Sequence, residues 1–170
     1  MSEPDRRGQN PAGQPHVRVP IEECALARAV GEIGDGWILL ILREVLCGAT
    51  RFDTMQAELG ISRGVLAERL RLAVERELLT RRPVKEPGRR AHHAYELTDR
   101  GRALLPALVA LRGWSDDWLA GTPSRLRMRT PDGREVRVRL VDDEGRDVDP
   151  GDVVVSAAEP SPRRRRRTPR

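Results

Sequence analysis

The sequence predicts a mainly α-helical domain carrying a two-stranded β-wing, a winged helix-turn-helix, with a small antiparallel β extension after it. Three observations lead there. Between Met55 and Arg76 one helical pattern is broken by Leu59-Gly60-Ile61-Ser62 and restarts at once. Two strand-like runs then flank Pro87-Gly88-Arg89-Arg90. The positive charge of the structured part falls on these same segments, with nine basic against four acidic residues from Arg63 to Arg90.

The elements follow in order. Residues 1–20 are proline-rich and polar, the composition of a disordered lead-in. From Ile21 a helical stripe of Cys24, Leu26, Ala27, Val30 and Ile33 begins, and Gly34-Asp35-Gly36 stops it. Trp37 to Cys47 is a nearly all-apolar helix, expected to be central and buried on most sides. Arg51 to Leu59 is amphipathic with Phe52, Met55 and Leu59 inward, and Gly60 suits its C-terminus. Ser62 is a good N-cap for the next helix, in which Val65, Leu66, Leu70 and Ala73 are expected to face inward. That leaves Arg63, Gly64, Ala67, Glu68 and Arg71 facing out.

Thr80–Glu86 and His92–Leu97 are the expected wing strands. Thr98 caps a long helix, Asp99 to Leu119, in which Pro106 predicts a kink or a local break. Residues 21–121 thus form one domain. Residues 122–158 alternate apolar and polar, with turns at Pro131-Asp132-Gly133 and Asp149-Pro150-Gly151, and predict about three short antiparallel strands leaning on the helices. Residues 159–170 are an arginine-rich tail, expected to be disordered.

Composition narrows the function. The chain has 170 residues, a net charge of +5 and one lysine, Lys85, among 31 basic residues. Arginine is the better residue for forked contact with phosphate and guanine. Two cysteines, Cys24 and Cys47, make no framework of a disulfide-stapled secreted protein. The apolar run Trp37–Leu42 is too short to span a bilayer, and the polar start lacks a signal core, so a cytoplasmic, nucleoid-associated location without a membrane partner is expected. There is no glycine-rich phosphate loop, no nucleophile elbow and no triad, so no enzyme is expected. His16, His92 and His93 have too few neighbouring ligands for zinc, and neither metal nor cofactor is expected.

A helix that restarts on a serine at a large angle to its predecessor is shaped to enter the major groove of double-stranded DNA. The candidate contacts are Ser62, Arg63, Gly64, Ala67, Glu68 and Arg71 on the second helix, with Arg69 reaching a phosphate rather than a base. Lys85, Arg89 and Arg90 on the wing would reach the flanking backbone or minor groove. Without that context the same arginines would be a solvated face paired with Glu68, Glu75 and Glu77. The tail offers a rival reading, a general nucleic-acid-coating protein whose affinity resides in its arginines.

The stretches CALARAVGEIGDGWILLILREVL, RFDTMQAELGISRGVLAERL and AYELTDRGRALLPAL fall in the order seen in the HxlR family of bacterial transcription regulators, relatives of the MarR group, which the chain resembles from about Glu23 to Leu119. The resemblance implies a homodimer on a palindromic operator, more often a repressor. Its first and last helices would form the interface, here Leu26, Val30, Leu108, Leu111, Trp114 and Trp118. It also implies that Cys24 is a candidate sensor of oxidants or electrophiles, the alternative being a small apolar residue at the seam, and it leaves room for an unnamed small-molecule effector. The chain departs from the family at Glu77, where members commonly carry glycine.

Overall fold

The computed structural model describes residues 17–85, 91–119, 121 and 124–157. The elements are α1 (Ala25–Ile33), α2 (Gly36–Leu46), α3 (Phe52–Leu59), α4 (Arg63–Glu75), β1 (Leu79–Val84), β2 (His92–Leu97), α5 (Asp99–Arg102) and α6 (Leu105–Trp118). The core gathers around α2, whose Ile38, Ile41 and Leu42 are fully buried together with Met55 of α3, Leu66 and Leu70 of α4, and Leu79 of β1. Burying each such aliphatic side chain is worth about 1.5–3 kcal/mol. That is enough to hold α3 and α4 at the angle their short connection allows.

β1 and β2 pair antiparallel, with Arg81 opposite Tyr95 and Pro83 opposite His93. A third segment lies beside β2: the Tyr95 amide donates to the Thr50 carbonyl (2.9 Å), and Arg51 bridges Ala94. The first strand runs from Leu79 to Val84, and its expected end, Glu86, lies outside the described residues. The first helix begins at Ala25 rather than Ile21, with Cys24 at its N-cap position, and none of its residues is buried. Its stripe touches the core only through Ile33. α2 is less enclosed than its composition suggests, since Trp37, Leu40 and Leu46 are exposed on the protomer.

The long C-terminal helix is broken, as the proline demands. Thr98 Oγ1 accepts from the Gly101 amide (3.0 Å) to cap α5. The chain turns at Ala103-Leu104 and resumes with Pro106 in the first turn of α6, where a missing N–H costs nothing. The extension differs from the three-strand expectation. It consists of two hairpins, each closed by a single antiparallel bridge, Arg129 to Glu135 and Val141 to Asp147, with a 3-10 turn at Pro150–Asp152. The second hairpin turns at Asp142-Asp143-Glu144-Gly145, ahead of the expected Asp149 turn. Alternation alone does not make strands here because Val138, Leu140, Val141 and Val153 stay exposed, with no sheet face to pack on. Residues 1–16 of the expected lead-in, residue 158 and the whole expected tail, 159–170, lie outside the described residues.

Candidate nucleic-acid interface

The turn between α3 and α4 is built by three residues. Gly60 takes φ 63° at the end of α3, a conformation glycine adopts without cost. Ile61 packs on the core, and Ser62 Oγ accepts from the Val65 amide (3.3 Å). Leu66, Leu70 and Ala73 then pin α4 inward, which turns Arg63, Gly64, Ala67, Glu68 and Arg71 to solvent. Val65, expected inside, is exposed. It precedes Leu66 by one residue and so lies about 100° round the helix from the buried stripe. A Cβ at Gly64 would meet nothing within 4 Å, so this part of α4 is open to close approach.

The arginines of α4 are not free. Arg63 donates to Asp53 (3.0 Å) and Gln56 (3.1 Å) on α3, and its guanidinium lies 4.8 Å from the Phe52 ring centre. Arg69 is directed back at Asp35, the N-cap of α2, at 2.6 Å, so it braces two helices where a phosphate contact had been expected. Arg71 is clamped between Glu68 (2.7 Å) and Glu75. Its hydrogen bond to Glu68 and then that to Glu75 push its pKa further up, and the same bond from Arg71 holds the Glu68 carboxyl below its ordinary range.

The wing contributes differently. Lys85 is exposed just past β1, while the tip residues Arg89 and Arg90 lie outside the described residues. Arg82 pairs with Glu96 on one face of the ribbon. On the other face Arg81 Nη2 donates to His93 Nδ1 (3.0 Å), and Arg81 has no carboxylate partner among the described residues. A 520 Å³ groove separates the wing from α4, lined among others by Phe52, Ala67, Arg71, Arg81 and Tyr95. Arg51, Arg81 and His93 were not among the DNA contacts named from the sequence. The available signal was the strand register, which puts residues 81, 83, 93 and 95 on one side.

Residues 32–123 match the family model described as HxlR-like helix-turn-helix. The chain belongs to the HxlR-like helix-turn-helix family. It is 41% identical over 109 residues to an uncharacterized helix-turn-helix-type transcriptional regulator of Mycobacterium tuberculosis, MT3179, covering 62% of this chain and 68% of that protein. Among solved structures it is similar to PA1607, a proposed transcription factor, with a TM-score of 0.68 and 38% identity over 79% of this chain and 95% of the other. PA1374 from Pseudomonas aeruginosa, likewise a proposed transcription factor, gives a TM-score of 0.55 and 28% identity over 82% of this chain and 95% of the other. The chain is thus a DNA-binding transcriptional regulator of winged helix-turn-helix type.

In this HxlR-like chain the residues expected at a subunit interface lie on two elements. Leu26 and Val30 of α1 are exposed, at 71% and 59%, and so are Leu111, Trp114 and Trp118 of α6, the last at 66%. Leu108 differs: it is half-buried against the core and lines a 780 Å³ apolar cavity with Trp37, Leu40, Leu111, Leu126 and Met128. Both thiols are free. Cys24 is half-buried, and Cys47 is exposed at the end of α2. No helix among the described residues is long and apolar enough to cross a membrane.

Proposed function

We propose that this chain is a sequence-specific repressor that binds a pseudo-palindromic operator as a homodimer. The observation that carries the reading is the solvent-facing side of α4, Arg63 to Arg71, held out by Leu66, Leu70 and Ala73 and flanked by the wing. Two copies joined through the exposed apolar sides of α1 and α6 would present two such helices to successive major grooves about 34 Å apart. The sign, repression, comes from the family resemblance and not from the geometry. Ser62, Gly64, Ala67 and Glu68 would lie nearest the bases, with Arg63 and Arg71 exchanging their carboxylate partners for guanine or phosphate. Cys24, half-buried where α1 begins, is the thiol through which an oxidant or electrophile would act on the dimer.

The test is binding of the purified protein to the DNA upstream of its own gene and to a scrambled duplex of equal length, across a salt series, reduced and oxidised. Preference for the native DNA that persists as salt rises supports the reading. Equal binding that vanishes with salt, and is lost on deletion of residues 161–170, would overturn it in favour of a coating protein. Arg63→Ala should cost about 1–3 kcal/mol and relax specificity at one position of the site.

A further inference from the structure

We infer that Arg81 and His93 form a proton-linked site for a DNA backbone phosphate beside the recognition helix. The inference rests on the DNA-binding reading above and adds to it a contact and its regulation by pH.

The first observation is charge balance. On α4 each arginine already has a carboxylate, so binding DNA there exchanges one anion for another. Arg81 differs, because its partner is an imidazole nitrogen and not a carboxylate. Guanidinium has no acceptor atom, so in this hydrogen bond His93 Nδ1 is the accepting nitrogen. The second observation is placement. Arg81 shares the 520 Å³ groove with Ala67 and Arg71 of α4, so it stands at the edge of the surface that would meet DNA. The adjoining 210 Å³ hollow is lined by Arg51, Asp53, Arg81, His92, His93 and Tyr95. The only carboxylate there among the described residues, Asp53, is engaged by Arg63. The hollow therefore has two cations, Arg51 and Arg81, that no carboxylate among the described residues offsets.

A phosphate is the ligand this arrangement fits. It draws Arg81 off His93 Nδ1, and that nitrogen takes a proton from solvent. The imidazolium becomes a second donor to the same anion. Proton uptake at that nitrogen therefore accompanies phosphate binding. Affinity must then rise as pH falls through the range in which an imidazole gains its proton.

The experiment is fluorescence anisotropy with labelled upstream DNA and scrambled duplex, using the wild-type chain, Arg81→Gln and His93→Gln. Both positions are exposed, and circular dichroism checks that each variant is folded. Wild type should bind about threefold to tenfold more tightly near pH ~5.5 than near pH ~7.5, a proton's share of linkage. Arg81→Gln should weaken both duplexes alike, by about tenfold near ~0.1 M salt, and lower the salt slope by about one. His93→Gln, which can still accept from Arg81, should keep the affinity near pH ~7.5 and lose the increase at low pH. An unchanged salt slope in Arg81→Gln overturns the phosphate site. A His93→Gln profile that follows wild type overturns the proton linkage. Failure of the wild-type chain to bind either duplex overturns the DNA reading itself, and this inference with it.

Discussion

At the scale of single residues, Glu77 shows how much of the turn into the wing rests on backbone geometry. It is held at φ 56°, the only non-glycine among the described residues with a positive φ. The conformation is fixed from both sides: Arg76 ends α4, and the Glu77 carbonyl accepts from Thr98 Oγ1 (2.5 Å). A left-handed residue other than glycine costs roughly 1–2 kcal/mol, against a loss of about 0.5–1 kcal/mol in chain entropy when glycine replaces it. Glu77→Gly should therefore raise the thermal midpoint slightly or leave it unchanged, whereas Glu77→Val, branched at Cβ, should lower it by several degrees. A Glu77→Val chain as stable as wild type would show that the turn is not strained. Gly60, Ser62 and Thr98 were legible in the sequence because their roles are local. The partners of Arg63 and Arg69 were not, because Asp53 and Asp35 lie 10 and 34 residues away and meet them only after the helices pack.

At the scale of elements, periodicity was a good guide wherever an element had a core to face. The α3–turn–α4 unit and the wing follow directly from it, and Pro106 announced the break between α5 and α6. It failed in the extension, where Leu126 and Met128 turn to the helices but Val138, Leu140 and Val153 face solvent. What fixes that segment is polar: Arg112 of α6 donates to the Leu126 carbonyl (3.3 Å) and to Glu135 (3.2 Å), and Asp116 accepts from the Ser124 amide (3.0 Å). The hydrogen bond from Arg112 holds the Glu135 carboxyl below its ordinary range. A carboxyl lowered in the folded state contributes fully above its unfolded value, and that contribution is lost as pH falls through the lowered one. Arg112→Ala, or acidification below the carboxylate range, should thus loosen residues 124–157 and speed their proteolysis while the helical domain stays folded. Equal cleavage rates for wild type and Arg112→Ala at neutral pH would show that the tether does not hold the extension. A second junction is steric. A Cβ on Gly101 would press into the Leu78 carbonyl oxygen, so α5 sits against the entrance to β1 only because residue 101 has no side chain. Gly101→Ala should cost about 1–3 kcal/mol in denaturant unfolding, the usual range for overpacking.

At the scale of the whole molecule, the chain leaves large apolar side chains of α1 and α6 uncovered. α1 buries none of its residues, yet it is strongly amphipathic, with Leu26 and Val30 exposed beside Ile21. α6 exposes Leu111, Trp114, Trp118 and Leu119. A helix with one apolar side and no core contact beyond Ile33 would gain little from folding alone, and clustered large apolar side chains mark an association surface. Tryptophan is moreover among the residues that dominate such interfaces. In sedimentation equilibrium the wild-type chain should be a dimer and Leu26→Glu together with Trp118→Glu a monomer at the same concentration, with α2–α4 and the wing still folded. The consequence for DNA follows from linkage. A dimer binds its second half-site without a second loss of translational freedom, so the monomer should lose far more affinity for a full palindromic site than for a single half-site. A loss of equal size on both would place the two substitutions at the DNA contact itself. No loss on either, with the chain still dimeric, would move the subunit interface away from α1 and α6.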